Sequence, residues 1–184
     1  MPVRPIVRLG HPALRTPARA VPLDQIAGPE VQQLVDDMID TMRDAQGVGL
    51  AAPQLGVELQ VFVHEVQGSE TNEAVPLRVV VNPMLTPLAG ELVYDWEGCL
   101  SIPDLRGLVP RHPQVRVRGL DRAGAQQDFV ATGFEGRIIQ HEFDHLNGVV
   151  FLDRMRDLRS LSYLEEWGEF MAGEEETASV HEIG

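Results

Sequence analysis

The segment QHEFDHLNG, residues 140–148, holds the most informative pattern in this sequence of 184 residues. Its two histidines, His141 and His145, are four residues apart, so on an α-helix both side chains lie on the same face. Glu142 directly follows the first histidine. This HExxH spacing offers a metal ion two imidazole ligands and places a carboxylate beside them. The pattern predicts a metal-binding helix, but two histidines alone do not complete a metal site.

The flanking residues predict that this helix runs from about 133 to 147. Thr132 and Glu135 have the spacing of a capping box at its start, and Gly148 is typical of a helix end. Apolar residues occur nearly all round the helix, which predicts that it is buried. Buried imidazoles need polar or metal partners, so a pair of hydrogen-bonded core histidines is the alternative to a metal site.

The remaining periodicity predicts an α+β fold, with antiparallel or mixed sheets around the central metal-binding helix. An amphipathic helix is expected at about 29–45, and a last one through Leu158, Leu161, Leu164 and Trp167. Four segments rich in β-branched or alternating apolar residues predict strands: 59–66, 77–83, 114–121 and 125–133. The last two are expected to form a hairpin.

Length and composition favour one globular domain, residues 1–171, followed by an acidic, flexible tail, residues 172–184. Because it contains the HExxH segment, we interpret this domain as a catalytic metallohydrolase domain. The tail prediction rests on seven glutamates and no basic residue after Arg159. A net charge of -13 argues against a specific nucleic-acid partner. Because there is no long apolar run and no secretory pattern at the start, we expect no membrane partner and a cytoplasmic location.

The third metal ligand must come from outside the helix. The acids that follow, Asp153 and Asp157, do not fit the helical spacing, and His181 falls in the predicted tail. Cys99 is the only cysteine, so it forms no intramolecular disulfide. It lies in WEGCLSIP, residues 96–103, which we interpret as a turn-rich segment between strands. A thiolate there could approach the helix, so Cys99 is the preferred candidate; a buried, inert cysteine is the alternative.

Three motifs resemble, in order, the signature motifs of the peptide deformylases: GVGLAAPQ (47–54), EGCLS (97–101) and QHEFDHLNG (140–148). The resemblance covers about residues 5–155. It implies a peptide deformylase-like fold and removal of the N-formyl group from the initiator methionine of nascent polypeptides, with release of formate. Nascent N-formylmethionyl polypeptides are then the partners. Transient proximity to the ribosome is compatible with this role, but docking through the acidic tail is not expected, since ribosomal RNA would repel it.

The resemblance also implies residue roles. The metal ligands are Cys99, His141 and His145, with Glu142 as general acid/base acting on metal-bound water. The oxyanion donors are the Gln54 side chain and the backbone N–H of Leu100. The substrate-binding residues are Val48, Gly49, Gly98, Arg106, Phe134 and Ile138. Of these, Val48, Phe134 and Ile138 are expected to form the apolar methionine pocket together with Leu100. A surface salt bridge is the alternative role for Arg106, and Asp144 is interpreted as an ion-pair partner, for example of Arg111.

The identity of the metal is not encoded in the motif. Two imidazoles and a thiolate favour zinc in general, whereas the resemblance implies Fe2+, with Zn2+, Ni2+ or Co2+ as substitutes. Two other functions share the HExxH pattern: a zinc peptidase, and a catalytically silent metal-binding module. A peptidase would not need Cys99 to bind its metal.

Overall fold

The computed structural model describes residues 3–68 and 73–172. The α-helices in this part are α1 (Pro29–Asp44), α2 (Gly133–Leu146), α3 (Phe151–Arg154) and α4 (Leu164–Phe170). The strands are β1 (Gly49–Ala51), β2 (Val61–Val66), β3 (Val75–Pro87), β4 (Val93–Cys99), β5 (Ile102–Arg111), β6 (Gln114–Leu120), β7 (Gln126–Thr132) and β8 (Ser162–Tyr163). All of the predicted acidic tail except its first residue lies outside the described residues. None of the described helices is long and apolar enough to cross a membrane.

Two antiparallel sheets form the framework. One has five strands in the order β1-β2-β3-β6-β7, and the other has three in the order β4-β5-β8. The α+β class is confirmed. The predicted hairpin is β6 with β7, in which Val117 lies opposite Phe129.

Helices α1 and α2 pack on opposite faces of the five-stranded sheet. Val61 and Val63 of β2 belong to the core cluster of α1, whereas Phe62 between them belongs to the cluster that includes Ile139 of α2. Successive strand residues point to opposite faces, so a strand covered on both sides is apolar throughout. This explains the unbroken run VFV and places α2 against the centre of the molecule.

The α2 helix occupies the predicted segment, but its start is stabilised differently. Thr132 is the N-cap residue, yet its side chain accepts no capping hydrogen bond. Glu135 instead contacts the buried His64 at 3.2 Å and Arg78 at 3.4 Å. The predicted capping box is therefore wrong, because these long-range partners outcompete the local backbone donor for Glu135.

Two further predictions are wrong. The segment 96–103 is not simply turn-rich: Trp96 to Cys99 complete β4, which pairs with β5. The last helix does not include Leu158 but begins at Leu164. A 3-10 turn at Leu158–Ser160 is capped by the Asp157 side chain, which accepts the Arg159 N–H, and β8 then pairs with β5. Local capping and strand pairing thus interrupt the helical pattern.

Candidate metal centre and active site

Three predicted ligands meet between β4 and α2. Cys99 ends β4, His141 and His145 lie on α2, and one ligand atom from each of these buried side chains lies within 4.8 Å of the other two. Cys99 Sγ is 3.4 Å from His145 Nε2. A tetrahedral ion with metal–sulfur and metal–nitrogen distances of about 2.3 and 2.1 Å separates two such atoms by about 3.6 Å. The donor types and their spacing therefore fit one divalent cation.

The His141 ring is fixed from behind by Glu97. Its Nδ1 atom is 3.0 Å from Glu97 Oε2, which leaves Nε2 as the ring nitrogen available to a metal. A carboxylate partner of this kind sets both the tautomer and the orientation of a metal-binding imidazole. The ring is also stacked on Phe151, with 6.3 Å between ring centroids. His141 is thus held in one orientation by a hydrogen bond and by packing.

Glu97 is itself held by two arginines. Its carboxylate accepts hydrogen bonds from Arg111 Nε and Nη2 at 2.8 and 2.9 Å, and from Arg137 Nη1 at 2.8 Å. Burial alone would raise the pKa of Glu97, but the charge and hydrogen bonds of Arg111, with the bond to His141, hold this pKa well below its usual range. Glu97 is therefore a carboxylate at neutral pH. Sequence reasoning gave it no role.

The arginine network extends to the far side of α2. Arg111 Nη1 donates to Asp144 Oδ2 at 2.6 Å, which confirms the ion pair suggested by the sequence. Arg154 Nε donates to the same Asp144 oxygen at 3.0 Å. Burial lowers the pKa of Arg111, but Glu97 and Asp144 outweigh this and raise it above its ordinary value. Arg111 is thus a permanent cation shared by two buried carboxylates.

Glu142, the predicted base, lies against the backbone of β1. Its side chain is fully buried, and a Cβ atom added to Gly49 would overlap Glu142 Oε1 and come within 2.9 Å of Glu142 Cδ. Only glycine leaves room for the carboxylate at this point. Gly49 therefore has a steric role toward Glu142 in addition to any contact with substrate.

Gln54 points its amide group at the sulfur ligand. Its Oε1 accepts the backbone N–H of Ala51 at 2.8 Å, which fixes the orientation of the amide. Its Nε2 then lies 3.7 Å from Cys99 Sγ and 3.4 Å from Ser101 Oγ. A buried N–H donor is thus aimed at the metal centre. Ser101 is a neighbour that the sequence interpretation did not include.

This geometry agrees with the comparisons to known proteins. Residues 3–160 match the family described as Polypeptide deformylase. The chain belongs to this family. Peptide deformylase 1 of Nitrosomonas europaea is 49% identical over 166 residues, covering 89% of this chain and 93% of the relative.

Solved deformylase structures have the same fold. A class I type b peptide deformylase from Acinetobacter baumannii with Met-Ala-Ser bound has a TM-score of 0.79 and 35% identity, covering 84% of this chain and all of that one. A deformylase from Synechococcus elongatus in complex with actinonin has a TM-score of 0.77 and 39% identity, covering 87% of this chain and 82% of the other. The chain is therefore an enzyme of the deformylase family, with a candidate metal site at Cys99, His141 and His145.

The predicted substrate residues of this deformylase fall into two groups. Val48 and Ile138 are buried in one apolar cluster, against which Phe134 packs. Leu100 packs against a different cluster, that of α1, so the structure does not bring all four predicted pocket residues into one cluster.

The other group is Gly98 and Arg106. Arg106 is almost fully buried, and its guanidinium lies so close to Gly98 that an added Cβ would overlap Nη1. Arg106 is therefore not a surface residue. Gly98 has the same relation to Arg106 as Gly49 has to Glu142: a glycine in a strand lets a charged side chain approach the backbone.

Proposed function

We propose that this enzyme hydrolyses the N-formyl group of N-formylmethionyl polypeptides and releases formate. The observation that carries the proposal is the buried triad of Cys99, His141 and His145 beside the Gln54 amide and the Glu142 carboxylate. A thiolate in the ligand set also separates this site from HExxH peptidases, whose catalytic zinc is held by the two motif histidines and a carboxylate or a third histidine.

The three ligands would hold one divalent cation. Such a cation lowers the pKa of a water ligand towards neutrality and polarises the oxygen of a bound carbonyl group. Family resemblance supports Fe2+ as the native ion; the thiolate and imidazole donors also suit Zn2+, Ni2+ or Co2+. Glu97 would keep His141 Nε2 unprotonated and directed at the cation by holding its Nδ1–H.

Glu142 would transfer the proton. Its carboxylate accepts a proton from the attacking water and delivers it to the methionine nitrogen as the formyl carbon–nitrogen bond breaks. Burial supports this role, because a carboxylate away from bulk water exchanges protons with the reacting groups and not with solvent. The tight contact with Gly49 restricts the positions available to the carboxylate.

Two donors would stabilise negative charge on the formyl oxygen. One is Gln54 Nε2, whose direction is fixed by the Ala51 contact, and the other is the backbone N–H of Leu100, next to the sulfur ligand. Preorganised donors of this kind are worth about 3–4 kcal/mol each in comparable acyl-transfer sites.

The substrate would bind as an extended peptide along β1. This strand is at one end of the five-stranded sheet, so its free edge can pair with another backbone. The methionine side chain would enter the apolar cluster of Val48, Phe134 and Ile138. The bound Met-Ala-Ser of the Acinetobacter relative supports a peptide of this kind. If Ile138→Trp left activity on formyl-Met peptides unchanged, this pocket would be wrong.

The test is formate release from a formyl-Met tripeptide by enzyme purified without oxygen, with bound metal measured in the same sample. We expect rapid release that is lost in Glu142→Ala while the metal stays bound. The unformylated tripeptide should not be cleaved; cleavage would favour a peptidase. A peptidase would also keep its metal and activity in Cys99→Ser, whereas a deformylase should not keep normal activity. No release from fully metallated, folded enzyme would reject the proposal.

A further inference from the structure

A second concavity lies on the side of α2 that faces away from the metal. Gln140, Phe143 and Asp144 of the helix line it, and its volume is about 470 Å3. This is within the usual range for small-molecule pockets. None of its lining residues is a metal ligand, an oxyanion donor or a predicted substrate residue. The concavity is therefore separate from the candidate active site.

The walls of this concavity differ in chemistry. The apolar lining residues are Leu85, Pro87, Leu92, Pro110, Val115 and Phe143. Three arginines, Arg111, Arg154 and Arg156, also line it, together with the carboxylates of Asp144 and Asp153. A site with an apolar wall and a cationic rim suits a molecule that has an apolar body and one anionic group.

Of the three arginines that line the concavity, two form ion pairs with a carboxylate. Asp144 is occupied by Arg111 and Arg154, and Asp153 pairs with Arg15 outside the concavity. Among the described residues Arg156 has no carboxylate partner; its guanidinium carbon lies 5.8 Å from the centre of the Tyr94 ring.

The neighbouring His112 also lines the concavity. Its Nδ1 atom is buried and has no hydrogen-bond partner within the described part of the chain. The backbone of His112 is fixed by two hydrogen bonds with the Gln140 side chain. The backbone of His112 is thus positioned by α2, while the buried Nδ1 atom is out of reach of a molecule in the concavity.

We propose that this concavity binds a small amphipathic carboxylate. The carboxylate accepts a bidentate pair of hydrogen bonds from Arg156, and the apolar body packs against Leu92 and Phe143. The chain carries a net charge of -13, which repels anions over most of its surface. Arg156, at the rim of the concavity and without an acidic partner in the described part of the chain, provides a local positive charge that favours anion binding there.

The test is isothermal titration calorimetry of the metal-loaded, full-length protein with 4-phenylbutyrate. The neutral 4-phenylbutanamide has the same apolar body without the charge. Arg156→Gln removes the proposed anchor. Arg159→Gln is the matched control, because Arg159 is an exposed arginine held by Asp157 and does not line the concavity.

We expect 4-phenylbutyrate to bind about 10-fold more weakly to Arg156→Gln and to be unaffected by Arg159→Gln, since one charge-assisted pair of hydrogen bonds corresponds to at least tenfold in affinity. The amide should also bind at least about 10-fold more weakly than the acid. Leu92→Glu, which places a negative charge in the apolar wall, should abolish binding independently. Equal affinities of the acid for the two arginine variants, equal affinities of acid and amide, or no binding of the acid would each overturn the proposal.

Discussion

Replacing Glu97 by glutamine tests the coupling between the buried charge network and the metal centre. Glu97 Oε1 accepts from Arg111 Nε and Arg137 Nη1, and Oε2 accepts from Arg111 Nη2 and His141 Nδ1. Glutamine has nearly the same shape but turns one of these oxygens into an N–H donor. In either orientation of the amide, two of the four contacts then place a donor against a donor.

The size of the effect follows from these contacts. A hydrogen bond to a charged group contributes about 1.5–3 kcal/mol, so the loss of two predicts about 3–6 kcal/mol, which overlaps the roughly 3–5 kcal/mol for breaking a buried ion pair. If the amide N–H faces His141, Nδ1 must accept and Nε2 carries the proton, which blocks metal binding. If it faces the arginines, the ring keeps its partner but the network is weakened. We therefore expect Glu97→Gln to raise the metal dissociation constant about 10–100-fold.

The assay is urea unfolding of the metal-free protein, together with competition against a chelator for Co2+ or Zn2+. Asp128→Asn is the matched control: it removes a carboxylate that also accepts two bonds from one arginine, Arg116, but is exposed. Its expected cost is below about 1 kcal/mol, with unchanged metal affinity. The reasoning is refuted if Glu97→Gln stays within about 1 kcal/mol of the unchanged chain and binds metal as tightly.

Two other changes test steric and ionic contacts. Gly49→Ala should lower formate release by about 100-fold or more with the metal retained, because the added Cβ displaces the Glu142 carboxylate. Gly168 has open space around it, so Gly168→Ala is the control and should leave formate release unchanged. Equal activities of the two variants would contradict this reasoning. The hydrogen bond from His64 lowers the pKa of Glu135 in the folded protein. The Glu135 carboxylate therefore stabilises the fold at pH values above the ordinary glutamate pKa, and this contribution is lost as the pH falls through the lowered pKa. Glu135→Gln should thus reduce the free energy of unfolding by about 1–2 kcal/mol at pH 7, and in urea unfolding this gap should narrow as the pH falls below the ordinary glutamate pKa of about 4.3; a constant gap would contradict the ionic role.

The features that local pattern encodes could be predicted. The HExxH spacing and Gly148 located α2, and the apolar runs located α1, β2 and β3, because helix and strand periods are properties of neighbouring residues. The predicted bounds 133–147 and 29–45 differ from the observed helices by one residue at their ends. Gly148 follows α2 in the left-handed conformation, with φ of 71°, as expected for a helix end.

The features that depend on distant partners could not be predicted. Strand β4 begins with exposed residues and contains Gly98, so it has no strong apolar alternation, and only its pairing with β5 defines it as a strand. Glu97 was missed for the same reason. In a strand, residues two apart point to the same side, so recognition of β4 would have placed Glu97 beside Cys99 and near the metal.

The site therefore combines two kinds of information. Helix α2 contributes His141, His145 and Glu142 at fixed local spacing, which is why the motif can be recognised in the sequence. Cys99 and its neighbour Glu97 come from β4, and they act only because β4 lies against α2. Glu97 bonds to His141 while Cys99 lies beside His145, so the same strand supplies one ligand and orients another. A change that shifts β4 by one residue would turn both side chains to the other face of the sheet and remove the metal site altogether.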